Sequence, residues 1–443
     1  MKFDDLSAAD VDVAKAGILD CLAVMISGSR TRTVRCLLEE VRSWRGTGKA
    51  VVVGLDQRLP PVWASLLNGT AANAEHFDDL SPAMLGHPSS ILVPGLISVA
   101  SMLNLSGRDW LEAYSCGFEV GVKLSRAANP ALYSMGFHAT SIFGVVMAAS
   151  VAAHLLGLDS HNTLSALGMS ASLASGVRAN FGSMTMALHA GHASSQGMLA
   201  ALLASKGFSS DPEALTGNFG LLHCFTGDQY NCKELSNFGK PFELSHSRIS
   251  FKFYPSGHPT ICAIEAALHL RSTYKITPAM IKEIHCFTPP WIKKTLDKNR
   301  PLLTGKEGKV NLPYCIAVAL YRGNVTESDF SDDMLKNAEI AALCNCCHVH
   351  IDENLPDNKE IPARVEITLT SGQVIKEQRN RPSGSAEHPP PWDRLIQKFW
   401  DQSSSLLSAK HAEKLLSKLT RLEDIENVNS ITELLCAKGG GHK

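Results

Sequence analysis

The sequence predicts a mainly α protein in which a large all-helical domain is joined to a smaller α/β domain. Three observations carry that reading. Apolar residues recur at helical spacing from Ser7 to about Lys240, alternating segments appear after about Ser245, and helical spacing returns from Pro389 to Leu435. The boundaries drawn from them are 1–245 for the helical domain, 246–388 for the α/β domain, and 389–443 for terminal helices that pack back on the first.

Length and charge narrow the function classes. The 443 residues exceed the size at which one core stops growing, and 44 % hydrophobic with 19 % charged residues is an ordinary composition for a globular enzyme. Lys and Arg number 42 against 43 Asp and Glu, so the formal charge of -1 supplies no basic field for a phosphate backbone, and nucleic acid is excluded as a partner. The most apolar stretch, Ile142 to Leu156, contains His154 and is shorter than the roughly 20 residues a membrane span needs, so it reads as a buried helix with no membrane partner. Asp4, Asp5, Asp10 and Asp12 near the start are unlike a signal peptide, which predicts a cytoplasmic protein. The 12 scattered cysteines read as reduced, buried thiols.

The first helix places Val11, Ala14, Ile18, Leu19, Leu22 and Met25 on one face and closes at Gly28. Further helices are predicted at Pro61 to Asn73, Ser89 to Leu103, Trp110 to Ala127, Thr140 to Leu156, Ser160 to Ser172 and Ala190 to Lys206. Their Ala, Gly and Ser content lets backbones approach closely. In the α/β domain, Glu283 to Phe287 and Arg364 to Leu369 alternate, and Ser371-Gly372 before Val374-Ile375 signals a hairpin, so a small antiparallel sheet is expected with helices at Thr260 to Arg271 and Leu312 to Tyr321. In the tail, Trp392, Leu395, Ile396, Phe399 and Trp400 share one side of a helix, and Gly439-Gly440-Gly441 should be disordered.

Four segments set titratable residues beside glycine or proline, as functional loops do. The first, Ala74 to Pro88, carries Asp78, Asp79, His76 and His87; these can bind a cation or move protons, or Asp79 or Ser81 can simply cap a helix. The second, Gly136 to Ser141, projects His138 ahead of an apolar helix, as an acid or base near neutral pH or as a surface residue. The third, Phe181 to Ala193, reads as a glycine-punctuated loop whose helix start can hold a carboxylate, with tight helix packing through Gly191 and Ala193 as the other reading. The fourth, Lys252 to Pro259, offers a lysine with aromatic neighbours to an anion, or a linker between domains. Cys344 to Asp352 invites a zinc assignment, but Cys346 and Cys347 are adjacent, no second ligand pair follows, and Cys347, Val349 and Ile351 suit one face of a strand; no metal is assigned.

These segments together resemble the MmgE/PrpD (2-methylcitrate dehydratase) superfamily, which includes cis-aconitate decarboxylase and iminodisuccinate epimerase. The resemblance rests on Asp20-Cys21-Leu22-Ala23, Phe77-Asp78-Asp79 through Gly86-His87-Pro88-Ser89, Phe181-Gly182-Ser183-Met184-Thr185, Leu188-His189-Ala190-Gly191, Lys206-Gly207-Phe208, Lys252-Phe253-Tyr254-Pro255 and Asn311-Leu312-Pro313-Tyr314. It implies a helical domain with an α/β lid, a homodimer, an active site between domains, and acid/base chemistry on a carboxylic acid without a cofactor.

Carried over position by position, the resemblance makes His87, His138 and Tyr314 catalytic and gives Asp78, Asp79, Ser81, Met186, Lys252 and His258 to substrate binding. His76 stands where relatives often have aspartate, and Gly257 where the decarboxylase has histidine, with His258 next to it. The larger departure is Met186, because relatives usually carry lysine there, within Thr-Lys-Pro-Leu-His, and methionine cannot pair with a carboxylate. The expected function is a lyase, foremost a dehydratase of a small acid with fewer carboxylates or a bulkier apolar group than citrate-type substrates. An isomerase or epimerase, or a decarboxylase, is the alternative within the superfamily, and a non-catalytic dimeric homologue the alternative outside catalysis.

Overall fold

The computed structural model describes residues 1–44, 46–296, 301–356, 361–404 and 406–436. The expectation for Gly439-Gly440-Gly441 lies outside the described residues. The chain divides into two compact units: one made of Met1–Asn180, Met184–Phe251 and Pro389–Lys443, the other of Phe181–Ser183 and Lys252–His388.

The first unit is built from helices α1 (Ala8–Gly28), α2 (Pro61–Asn73), α3 (Ser89–Ala100), α4 (Gly107–Ala128), α5 (Ala139–Leu155), α6 (Ser160–Leu173) and α7 (Met184–Ala204). Helix α1 starts where Ser7 and Asp10 form a reciprocal capping box, and α2 where Pro61 occupies the first turn. Both α3 and α5 are buried along nearly their whole length, so they are apolar on every side. Small residues make this possible. A Cβ on Gly191 of α7 would lie 2.2 Å from the Leu66 carbonyl oxygen of α2, and one on Gly197 would lie 2.4 Å from the Val145 oxygen of α5. Since backbone cannot move aside, Gly191→Ala should cost about 1–3 kcal/mol, read as a lowered denaturation midpoint at unchanged slope.

Several helix boundaries differ from expectation by two residues or more, among them the start of α4 at Gly107 instead of Trp110 and the end at Tyr274, instead of Arg271, of the helix expected from Thr260. Helix α3 stops at Ala100 instead of Leu103, and α7 begins at Met184, six positions before Ala190. The stretch around Met186 to Gly191 is therefore helix and not loop, because its glycine serves contact with α2 and not a change of chain direction. Of the two readings offered for it, helix packing is the one the structure shows.

The second unit holds α8 (Ile261–Tyr274), β1 (Ile281–Thr288), α9 (Leu312–Arg322), β2 (Cys347–Ile351), β3 (Ala363–Leu369) and β4 (Val374–Arg379). The sheet order is β2-β1-β3-β4. Ile367 faces Ile375 across the antiparallel β3–β4 hairpin, whose turn is allowed by Gly372 at φ 88°. The sheet is not purely antiparallel, because His285 and His348 are paired in a parallel β1–β2 ladder. A parallel neighbour needs a crossover, and α9 lies in that connection. Ile284, Cys286, Val365, Ile367 and Ile375 join α8 and α9 in one apolar cluster.

After the second unit the chain returns to the first through α10 (Trp392–Ser403), which buries Leu395, Lys398 and Phe399. No described helix is long and apolar enough to cross a membrane. All twelve cysteines are free thiols; Cys36, Cys224 and Cys232 are exposed, against the expectation of burial.

Candidate active site

Helix α2 ends into the loop that carries Asp78, Asp79 and His87. The loop is held by an antiparallel bridge, Leu80 N–H to Ser250 O at 2.9 Å and Ser250 N–H to Leu80 O at 2.8 Å, and by Ser81 N–H to Gly86 O at 2.9 Å. Two non-glycine residues take left-handed backbone here, His76 at φ 56° and Leu85 at φ 54°, a strain of about 1–3 kcal/mol each that functional loops tend to hold. Gly86 permits close approach to α5, since a Cβ there would sit 2.9 Å from Thr140 Oγ1. The result fixes His87, whose N–H donates to Thr140 Oγ1 at 3.0 Å.

The ring of His87 is oriented at Nδ1 by two acceptors. Its Nδ1 lies 2.7 Å from the Asp79 carbonyl oxygen and 3.3 Å from Asp78 Oδ2. Neither oxygen can donate, so Nδ1 carries the hydrogen and, in the neutral ring, the lone pair sits on Nε2. Asn73 Nδ2 donates to the same Asp78 Oδ2 at 2.8 Å, which holds that carboxylate in place.

Beneath this lies a buried polar chain. Asp79 is fully buried and hydrogen-bonds Ser89 Oγ, which in turn lies 2.6 Å from the Tyr114 hydroxyl; Ser89 N–H also reaches Asp79 Oδ1 at 3.3 Å, a cap on α3. Burial, with the charges of Asp20 and Asp78 adding to it, pushes the Asp79 carboxyl well above its ordinary range despite the Ser89 bonds. Lys398 closes the system from α10, with Nζ 2.7 Å from Asp20 Oδ1 and 2.8 Å from the Phe77 carbonyl oxygen it donates to. Asp78, Asp79 and Ser81, expected at the substrate, are each fully buried; the contacts of Asp78 and Asp79 hold the loop and the ring of His87.

His138 stands at the start of α5, its ring 6.3 Å from that of His87 in an edge-on arrangement. A third imidazole completes the array, because His138 Nδ1 and His189 Nδ1 are 3.1 Å apart. His189 lies in a motif shared with the superfamily but carries no expected role there; the signal that finds it is helical phase, which needs α7 to start at Met184. Burial, followed by the charges of His87, His189 and Arg178, holds His138 well below the usual imidazole range. Burial and the His192 charge lower His189 to about 4. Both rings are therefore neutral at pH 7, one donating to the other, and a neutral imidazole is a base.

A pH dependence of stability follows. A histidine with depressed folded pKa leaves the unfolded chain binding the extra proton, so stability falls as pH drops below 6.5 toward about 4. The slope approaches about 1.4 kcal/mol per pH unit for each such ring. Asp79 has the opposite sign, favouring the fold below 3.8 and losing that contribution as pH rises. The difference between wild type and His189→Asn isolates the imidazole: urea titrations at pH 7 and pH 4.5 should show a smaller acid loss in the variant.

The remaining residues given to the site lie in the second unit. Lys252 is buried, and His258 opens a short turn before α8 after Gly257, whose N–H donates to Lys309 O at 2.7 Å. Tyr314 sits in the first turn of α9, capped by Asn311, and is fully buried with its hydroxyl donating to Asp329 O at 2.8 Å. Burial, together with nearby Cys344, Cys315 and Asp329, pushes its hydroxyl well up. Met186, in the first unit, is buried on α7 three residues before His189, so the two share a helix face.

Comparison with known proteins agrees with this architecture. Cis-aconitate decarboxylase of Homo sapiens is 26 % identical over 454 residues, covering 98 % of this chain and 92 % of that protein. The mitochondrial 2-methylcitrate dehydratase of Yarrowia lipolytica is 25 % identical, covering 85 % and 76 %. The Escherichia coli 2-methylcitrate dehydratase is 23 % identical, covering 85 % and 82 %. These relatives are a decarboxylase and dehydratases, which supports an enzyme of lyase type here. The MmgE/PrpD N-terminal domain matches residues 1–233 and the MmgE/PrpD C-terminal domain residues 254–424, so the chain belongs to the MmgE/PrpD family.

Proposed function

We propose that this chain is a lyase acting on a small carboxylic acid, with dehydration as its leading reaction. The observation that carries the reading is the imidazole array of His87, His138 and His189, in which burial keeps His138 and His189 neutral. In dehydration a base removes the proton beside a carboxylate, the C–H electron pair forms the double bond, and hydroxide leaves with a proton from an acid, as water. The demanding step is proton removal, and a neutral imidazole suits it better than an imidazolium does. His138 or His87 is the base. Tyr314 is the proton donor, and in that role its hydroxyl leaves Asp329 O during the cycle. The active species is a homodimer in this reading, and the chemistry uses side chains alone.

Met186 gives the wall near His189 an apolar character. A buried carboxylate without a cation costs roughly several kcal/mol, which favours a substrate with an alkyl group at that wall over a tricarboxylate. Decarboxylation is the second reading, favoured because the human decarboxylase matches 98 % of the chain and the Yarrowia dehydratase 85 %. Incubation with 2-methylcitrate, cis-aconitate and alkyl-substituted hydroxy dicarboxylates in heavy water, followed by NMR, separates the cases. Alkene formation from an alkyl hydroxy acid supports the proposal, carbon dioxide release favours the second reading, and deuterium entry without water loss indicates an epimerase. Faster turnover of 2-methylcitrate than of the dicarboxylates contradicts the substrate preference.

A further inference from the structure

A catalytic base beside a carboxylic acid needs a cation to hold that acid, and the residues around His138 offer one. The turn after α6 crosses the entry to α5 through two backbone hydrogen bonds, His138 N–H to Gly176 O at 3.1 Å and Arg178 N–H to Gly136 O at 2.8 Å. Gly176, at φ 134°, permits this: a Cβ there would come within 2.6 Å of Ser141 Oγ. The backbone of Arg178 is thus fixed beside that of His138 by the fold. Its guanidinium stacks 3.5 Å over the Tyr133 ring, and Nη1 donates to Tyr133 O at 2.7 Å, so the planar fork is held in one orientation.

Three further observations bear on its use. Arg178 is only half-buried, and its backbone is one hydrogen-bonded pair away from that of His138. Lys398 is engaged with Asp20. Ser141, packed against Gly176, is fully buried, and its hydroxyl has no hydrogen-bond partner among the described residues. A preoriented guanidinium beside a buried base makes a site for a carboxylate.

We propose that Arg178 is a specificity-determining residue whose guanidinium binds a carboxylate of the substrate beside His138, in a wall where α7 presents Met186. The assignment rests on the carboxylic-acid reading above. The fork sets where the acid group lies, and Met186 leaves room for an apolar substituent next to it.

The test is calorimetric binding of methylsuccinate and its monoamides to the full chain, in wild type and in Arg178→Lys, Arg178→Gln and Arg178→Gln/Met186→Lys. Replacing a charged hydrogen-bond donor should weaken the dicarboxylate by about 10–100-fold in Arg178→Gln and less in Arg178→Lys. The monoamide that lacks the held carboxylate should bind wild type and Arg178→Gln alike, and the added lysine should restore part of the lost affinity. Thermal unfolding checks that Arg178→Lys remains folded. Dicarboxylate affinity unchanged in Arg178→Gln overturns the assignment alone, as does equal loss of diacid and both monoamides, which would mark the arginine as a support for Tyr133. Wild-type protein that binds none of these acids overturns the carboxylic-acid reading and the Arg178 assignment together.

Discussion

Replacing His138 by asparagine removes about 10²- to 10⁴-fold of turnover with little change in stability. The large kinetic effect follows from the ring's surroundings. It is buried, neutral, and hydrogen-bonded to His189, so it accepts a proton without first losing one. The small effect on stability follows from its backbone. His138 occupies the N-cap position of α5 with extended backbone and no capping bond from its side chain, and asparagine is among the best residues at such a position. Steady-state rates with the acid that is turned over, read beside thermal unfolding of both proteins, check the prediction. Wild-type turnover in the variant would exclude His138 as the base and leave that role to His87.

The largest loss of stability belongs to Lys398→Met. Lys398 is buried with Asp20, and its Nζ also donates to Phe77 O while lying 4.0 Å from the Phe77 ring centroid. Removing the ammonium leaves a carboxylate in a dry interior that already raises Asp79, and breaking a buried pair this way costs about 3–5 kcal/mol. The same change loosens Phe77 at the head of the loop carrying Asp78 and Asp79. Asp20→Asn in the same chain removes the orphaned charge, so the double variant should recover more than half of the loss in a denaturant titration. An additive double variant would mean that the ion pair contributes nothing as a pair.

Much of the helical unit is legible because its signals are local. Ser7 with Asp10, and Pro61 in the first turn of α2, mark helix starts by chemistry that acts within four residues. The start of α7 is not legible in this way, since Gly191 resembles a turn residue in the sequence and shows its purpose only when α2 lies against it. The direction of β2 is hidden for a related reason: side-chain alternation is the same in parallel and antiparallel strands, and the partner decides.

The candidate site divides along the same line. His87 and His138 stand out because each follows a glycine-containing break and precedes a helix. Asp78 and Asp79 stand out as adjacent carboxylates, but their inward orientation comes from Asn73, Ser89 and the ring of His87, none of which spacing reveals. Lys398 joins Asp20 from the opposite end of the chain, and no local pattern announces such a pair.

Proton removal at this site depends on His138 and His189 rings that are neutral, and on a His87 ring that is correctly oriented, before any substrate arrives. Nitrogen-15 NMR of the histidine rings between pH 4 and pH 8 measures both properties directly. The structure predicts a hydrogen on Nδ1 of His87, a His138 ring that titrates well below 6.5, and a His189 ring that titrates at about 4. A His138 ring protonated at pH 7, or a neutral His87 with its hydrogen on Nε2, would contradict it.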